Sequence, residues 1–133
     1  MSPQFRVLVF GKLSCKKCHL LNERLDKLLK KPEWQQFEKA YCDVETEDGM
    51  VAFCKSECVN PSRIPAMMVA RLNAESGRYE PLLNPQMGKT DAVCGKSKLY
   101  TYLGLQTDYG GEGGGVITPK MINSVLSEAL AGA

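Results

Sequence analysis

The sequence predicts one α/β domain over residues 1–133, in which helices flank a mixed sheet of four strands. Three observations predict this fold class. An apolar, β-branched segment lies near the N-terminus, amphipathic helical patterns follow it and recur at the end of the chain, and short apolar runs bounded by turn residues lie between them. The resulting order is β-α-β-α-β-β-α. A chain of 133 residues has the usual size of one domain.

The first strand and the first helix have the clearest patterns. Phe5–Phe10 is aromatic and β-branched, which is typical of a buried strand. Pro32 ends the helix that follows, and Trp34 and Phe37 are expected in a short helical turn. A second strand is expected around residues 40–44. The first helix has an apolar stripe at helical spacing, formed by Leu21, Leu25, Leu28 and Leu29.

The second half of the chain also alternates between predicted helices and strands. A helix is predicted over residues 50–58 and a third strand over Ala66–Leu72, with residues 78–83 returning as its antiparallel partner. Residues 84–115 are interpreted as an insertion before the last helix. That helix is predicted from a cap residue, an initial proline and an apolar stripe, namely Thr118, Pro119, Ile122, Val125, Leu126, Ala129 and Leu130.

Charge and hydropathy exclude several classes of function. Seventeen Lys and Arg against fifteen Asp and Glu give a net charge of +2, too mild for nucleic acid or an anionic membrane as the main partner. No apolar run approaches the ~20 residues of a membrane span. The first residues, Met-Ser-Pro-Gln-Phe-Arg, have no secretory-signal pattern. We therefore expect a monomeric, cytoplasmic protein.

Cysteine provides the main indication of chemistry. Six cysteines in 133 residues are too few for a disulfide scaffold. Cys15 and Cys18 follow the first strand and open the first helix, where backbone N–H groups stabilise a thiolate. Lys12, Lys16 and Lys17 add positive charge nearby. Because Cys18 can attack a mixed disulfide formed at Cys15, the pattern predicts dithiol–disulfide exchange.

The segment Val9–Cys18 (VFGKLSCKKC) resembles the active-site segment of glutaredoxins and their thioredoxin-fold relatives. A second motif, Ile64-Pro65 before a strand, is similar to the Val/Ile-Pro of that superfamily, whose cis-proline packs against the dithiol. The resemblance covers residues 5–83 and 116–131. It implies a thioredoxin-like fold and a thiol–disulfide oxidoreductase.

The resemblance also implies a role for each matching residue. Cys15 matches the nucleophile, Cys18 the resolving cysteine and Pro65 the cis-proline. Lys12 matches a lysine that assists the thiolate and contacts glutathione, and the backbone of Ile64 would pair with a bound substrate. No cofactor is required beyond an electron donor, either glutathione or a reductase. The expected partner is a protein disulfide or a small thiol.

The chain departs from the family at three places. Lys16-Lys17 stands where glutaredoxins have Pro-Tyr and thioredoxins Gly-Pro, and Ser14 stands where thioredoxins have Trp. Gly114-Gly115 matches the glutathione-binding loop only loosely. Two lysines between the cysteines favour the thiolate and so the reduced state. We therefore expect the disulfide to be a better oxidant than that of thioredoxin.

Cys54 and Cys58 leave other hypotheses open. Both can be buried in a helix, or they can form an accessory redox pair. Together with Cys15 and Cys18 they also give a C-x2-C … C-x3-C set, which suits a carrier of zinc or an iron–sulfur cluster. The string from Cys15 to His19 matches the C-x-x-C-H of haem attachment. A thioredoxin-fold interaction module without catalysis is the remaining alternative.

Overall fold

The computed structural model describes residues 4–12, 15–47, 64–85, 97–99, 102–107 and 117–131. The helix predicted over residues 50–58 and much of the predicted insertion lie outside these residues. In chain order, the elements are β1 (Phe5–Gly11), α1 (Lys16–Leu29), a 3-10 helix (Pro32–Trp34), β2 (Phe37–Asp43), β3 (Ala66–Leu72), β4 (Tyr79–Pro81), β5 (Gly104–Gln106) and α2 (Pro119–Ala131).

Strand β1 lies in the middle of the sheet. It pairs in parallel with β2, where Val9 is opposite Tyr41, and antiparallel with β3, where Phe10 is opposite Ala66. A strand with neighbours on both sides and cover on both faces is apolar along its length. Val7, Val9 and Phe10 are accordingly fully buried. The apolar segment after the N-terminus is therefore the strand that the sequence predicts.

Within the described residues the sheet has five strands rather than the predicted four, because β4 and β5 both pair with β3. Strand β4 pairs with the second half of β3, and β5 pairs with the first half. Val69 lies between the part of β3 that pairs with β5 and the part that pairs with β4. Its carbonyl accepts from the Leu82 N–H at 3.0 Å, and its own N–H donates to the Leu103 carbonyl at 2.9 Å. Part of the predicted insertion thus completes the sheet.

Strand β2 begins earlier than the sequence predicts. Phe37, expected in a helical turn, is the first residue of β2 and pairs with Phe5. The two rings stack with centroids 4.8 Å apart, and Trp34 meets Phe37 edge-on at 5.8 Å. Aromatic pairs in these geometries add to the free energy of burial. Trp34 belongs to the 3-10 helix, as expected for the turn.

Helices α1 and α2 contribute their predicted stripes to one core with the sheet. Arg24 of α1 donates from Nη1 to the Ile117 carbonyl at 2.7 Å, which joins α1 to the start of α2. Thr118 Oγ1 accepts from the Met121 N–H at 3.2 Å, as expected of an N-cap. The buried members of the two stripes are Leu21, Leu25, Leu28, Ile122, Val125, Leu126 and Ala129.

A second, smaller core cluster contains Phe10, Ala66, Met68 and Leu99. Phe10 and Met68 alternate along their strands with Val9 and Met67, which belong to the first cluster. Side chains alternate between the two faces of a sheet, so the second cluster lies on the face opposite α1 and α2. Among the described helices, none is both long and apolar enough to cross a membrane.

Candidate active site

Cys15 is the N-cap residue of α1. Its backbone is extended, with φ −94° and ψ 115°, and the helix begins at Lys16. The Cys15 N–H donates to the Lys12 carbonyl at 3.2 Å. This hydrogen bond spans the connection between the end of β1 and the start of the helix. The first cysteine therefore lies at the strand-to-helix junction, where the first helical turn presents its N–H groups.

Cys15 and Cys18 are joined by a disulfide, and their Cα atoms are 5.2 Å apart. The two ends of this bond differ in exposure. Cys18 is fully buried, whereas Cys15 is partly exposed. A thiol or disulfide arriving from solvent therefore meets Cys15 first.

The surroundings of Cys15 favour negative charge. Its Sγ accepts a hydrogen bond from the Cys18 N–H at 3.1 Å. The first turn of α1 contains no acidic residue, and Lys16 and Lys17 lie in it. Lys12 is exposed and immediately follows β1. Peptide dipoles at a helix N-terminus and nearby ammonium groups both stabilise a thiolate relative to a thiol.

The Ile64–Pro65 peptide bond is cis, and both residues are buried. Strand β3 begins at the next residue, Ala66, which pairs with Phe10 near the end of β1. Pro65 consequently lies at the same edge of the sheet as Gly11, the residue from which the chain runs toward Cys15. The topology brings the two sequence motifs to one end of the sheet.

Thr107 donates two hydrogen bonds to the carbonyl of Pro65. Its N–H donates to that oxygen at 3.1 Å and its Oγ1 donates at 2.8 Å. Thr107 is fully buried and follows β5 directly. Both lone-pair directions of the carbonyl are therefore used inside the protein, which fixes the proline segment against β5.

The inner cysteine lies against the end of β1. A Cβ placed on Gly11 would be 2.9 Å from both Cβ and Sγ of Cys18, and 2.8 Å from the Tyr41 hydroxyl. Only a residue without a side chain allows so close an approach. Tyr41 is partly buried, and burial first, then the charge of Asp43, raises the pKa of its hydroxyl. The phenol is therefore protonated at neutral pH.

Cys42 is separate from this site. It is a half-buried free thiol that packs with Phe10 and Met68 in the second cluster. Its Sγ donates to the Ala40 carbonyl at 3.8 Å. Burial raises the pKa of the Cys42 thiol, and the charge of Arg6 opposes the shift. Cys42 is thus predominantly a neutral thiol at neutral pH.

Some of the predicted site residues fall outside the described part of the chain. These are Cys54 and Cys58, the accessory redox or metal-binding pair of the sequence hypotheses. Ser14 and Gly114-Gly115, where the chain departs from the family pattern, also lie outside the described residues. Among the residues that the structure describes, no group of three His, Cys, Asp or Glu side chains is placed to hold a metal ion.

Three residues of this region, Gly11, Tyr41 and Thr107, are not predicted as site residues from the sequence. For Gly11 one signal exists, because glycine inside a strand marks a close approach of another group. For Tyr41 and Thr107 there is none, since each depends on a contact between elements far apart in the chain.

The chain combines a parallel β-α-β unit that carries the Cys15–Cys18 pair with an antiparallel third strand preceded by a cis-proline and with a final helix. The fold is thioredoxin-like. The chain is similar in structure to thioredoxin O2 from Arabidopsis thaliana in its oxidised state, with a TM-score of 0.44 and 14% sequence identity. The similarity covers 59% of this chain and 60% of that one, which is less than two thirds of its length. The sequence matches no protein-family model and no curated protein.

Proposed function

We propose that this protein is a dithiol–disulfide oxidoreductase, with Cys15 as the nucleophile and Cys18 as the resolving thiol. One observation carries the proposal. A partly exposed cysteine at a helix N-terminus is paired with a fully buried one three residues later. The exposed sulfur can meet a substrate, and the buried one can react only within the protein.

The reaction begins with the reduced pair. The Cys15 thiolate attacks one sulfur of a substrate disulfide, so that a Cys15–substrate disulfide forms and the other substrate sulfur leaves as a thiolate. The Cys18 thiolate, its proton having passed to water, then attacks Cys15 Sγ. The Cys15–Cys18 disulfide forms and the second substrate sulfur leaves. The substrate gains two electrons and two protons, and the enzyme dithiol loses them.

An external thiol returns the pair to the reduced state. Glutathione or a reductase supplies the two electrons, and no bound cofactor takes part. Lys12, exposed beside the turn, would stabilise the Cys15 thiolate and attract the carboxylate of a thiol such as glutathione. The Ile64–Pro65 segment would form the wall of the substrate groove and pair with an extended peptide through its backbone.

The substrate class in this proposal is a protein disulfide or a low-molecular-weight disulfide. A mild net charge of +2 supports a role without nucleic-acid or membrane partners. We propose that the protein acts as a monomer in the cytoplasm, where thiol donors keep such a dithiol reduced.

Three serine variants test the proposal with a disulfide-bridged peptide as substrate. Cys15→Ser removes the nucleophile, so peptide reduction should fall to the background rate. Cys18→Ser cannot resolve the intermediate, so a Cys15–peptide disulfide should accumulate and be visible by mass spectrometry. Cys42→Ser is the matched control and should retain the parent rate. Full activity in Cys15→Ser, or a trapped adduct on another cysteine, would refute the assignment.

A further inference from the structure

Tyr41 lies on β2 below the N-terminal end of α1. It pairs with Val9 across the β1–β2 ladder and packs against the core cluster that the helices share with the sheet. Its ring is therefore on the same face of the sheet as Cys18. The neighbouring Cys42 points to the opposite face.

The backbone of Gly11 leaves a small space that the tyrosine hydroxyl and the inner sulfur both border. The two atoms lie 2.8 Å and 2.9 Å from the same point, the position that a Cβ on Gly11 would occupy. Since Cys18 is fully buried, this side of its sulfur faces protein groups. The hydroxyl of Tyr41 is the nearest atom to that point and is polar.

Contacts further along α1 fix the helix over β2. Lys39, two residues before Tyr41 on β2, donates from Nζ to Asn22 Oδ1 at 2.5 Å and is paired with Asp26 at 2.7 Å. Cys18, Asn22 and Asp26 are spaced four residues apart, so they lie on one face of the helix. The same alignment that brings Asn22 and Asp26 to Lys39 brings Cys18 to Tyr41.

The protonation state of Tyr41 decides whether its hydroxyl is the donor or the acceptor in a hydrogen bond with the Cys18 sulfur. Burial and the carboxylate of Asp43 raise its pKa, so that the hydroxyl keeps its proton when a thiol beside it ionises. Other charged groups near this end of the sheet are Lys12 after β1 and Lys17 in the first turn of α1. A protonated phenol next to a thiolate is a donor.

We propose that the Tyr41 hydroxyl donates a hydrogen bond to Cys18 Sγ and stabilises the Cys18 thiolate in the resolving step. The inference rests on the proposed function and gives the Tyr41 hydroxyl a role in the second step of that reaction. With the bond in place, Cys18 ionises more readily and attacks Cys15 Sγ. The substrate thiolate leaves, and Tyr41 keeps its own proton throughout. Attack by Cys15 on the substrate does not use this bond.

The test compares Tyr41→Phe with Tyr79→Phe. Both variants keep the ring and lose one hydroxyl, but Tyr79 lies on β4, where its ring stacks under Arg6. Each reduced protein is mixed with excess glutathione disulfide and quenched with acid at intervals. Mass spectrometry then measures the Cys15–glutathione adduct and the Cys15–Cys18 disulfide.

For Tyr41→Phe we expect the adduct to form at the parent rate and to persist about tenfold longer, the effect of losing one hydrogen bond to a charged sulfur. The pH at which the resolving rate is half-maximal should also rise by about one unit, equivalent to that tenfold change. Tyr79→Phe should match the parent in both steps.

An unchanged adduct lifetime and an unchanged pH profile in Tyr41→Phe would overturn the inference and leave the proposed function intact. Slowing of both steps together would also overturn it, because that result indicates a packing role. Absence of both the Cys15 adduct and the Cys15–Cys18 disulfide in the parent protein would instead overturn the proposed function. Tyr41→Trp, which keeps a ring N–H donor, provides a second variant and should resolve faster than Tyr41→Phe.

Discussion

In the proposed reaction, the different exposure of Cys15 and Cys18 assigns the two cysteines to different steps. Cys15 has a partly open position at the helix cap, while Cys18 is fully enclosed by the end of β1 and the first turn of α1. A mixed disulfide with a large substrate can form at the first sulfur, where there is room for it. Cys18 is confined to reaction with Cys15. The chemical asymmetry thus follows from the position of each residue along the first helical turn.

Cys42 is a cysteine whose environment favours the neutral thiol, in contrast to that of Cys15. It lies near the end of β2, on the face of the sheet opposite α1 and α2, and burial raises the pKa of its thiol. The raised pKa means that the folded protein holds this proton more tightly than the unfolded chain does. The corresponding contribution to the free energy of unfolding is present below the unfolded thiol pKa of about 8.5. It is lost as pH rises through the folded pKa.

We therefore predict that replacing Cys42 by Ala makes stability less sensitive to alkaline pH. Urea unfolding of the parent and of Cys42→Ala at pH 7 and pH 10 measures this difference. The parent should lose more stability than the variant over the interval, because only the parent has the thiol. An equal loss in both proteins would show that the Cys42 environment does not favour the neutral thiol.

At the level of single residues, the sequence predicts the parts of the site that belong to local motifs. Cys15 and Cys18 stand out by their spacing after a strand, and Pro65 by the apolar run behind it. Gly11, Tyr41 and Thr107 act through contacts with residues 7, 23 and 42 positions away. Those contacts depend on how strands and helices assemble, which a local pattern does not contain.

Among the elements, β5 connects the segment between β4 and α2 to the candidate site. Its ladder with the start of β3 ends at Thr107, whose N–H and hydroxyl both bind the carbonyl of Pro65. Gly104 allows this strand to approach β3, since a Cβ there would overlap the Met67 carbonyl oxygen. The proline segment is thereby held from within the sheet.

We predict that Thr107→Val weakens this hold. The variant keeps the N–H bond and the side-chain shape but leaves one buried interaction unmade, which costs about 1–3 kcal/mol of unfolding free energy. If the Ile64–Pro65 segment shapes the substrate groove, the apparent KM for a peptide disulfide should rise a few-fold. Urea unfolding and steady-state kinetics measure the two effects.

Thr46→Val is the matched control for this experiment. Thr46 Oγ1 also donates to a backbone carbonyl, that of Asp43, at 2.7 Å, but it does so in an exposed turn. Its replacement should change stability by less than about 0.5 kcal/mol and leave KM unchanged. Equal effects of the two valines would show that Thr107 has no special role in positioning the proline.

Helices are easier to predict here than strands. The stripes of α1 and α2 have many residues at one period, and their ends carry Pro32, Thr118 and Pro119 as signals. The start of β2 depends instead on the stacking of Phe37 on Phe5, a contact across 32 residues. Strands β4 and β5 pair with different halves of the same side of β3. A short segment of sequence does not specify with which strand it will pair.

For the whole molecule, the sheet topology creates the site. The parallel pairing of β1 and β2 and the antiparallel pairing of β1 and β3 place the end of β1, the start of α1 and the start of β3 at one edge. The two core clusters cover opposite faces of the same strands and keep that edge in place. A partly exposed cysteine is therefore held at the junction between the central strand β1 and helix α1.

The central claim is that Cys15 and Cys18 form one reversible two-electron couple. An equilibrium titration in glutathione buffers, with thiols alkylated and located by mass spectrometry, tests it most directly. We expect both cysteines to convert together and Cys42 to stay a thiol throughout. We also expect a midpoint potential above the ~−270 mV of thioredoxin, because the helix end and Lys16-Lys17 stabilise the reduced pair. Independent alkylation of Cys15 and Cys18, or protection of both until a chelator is added, would contradict the account.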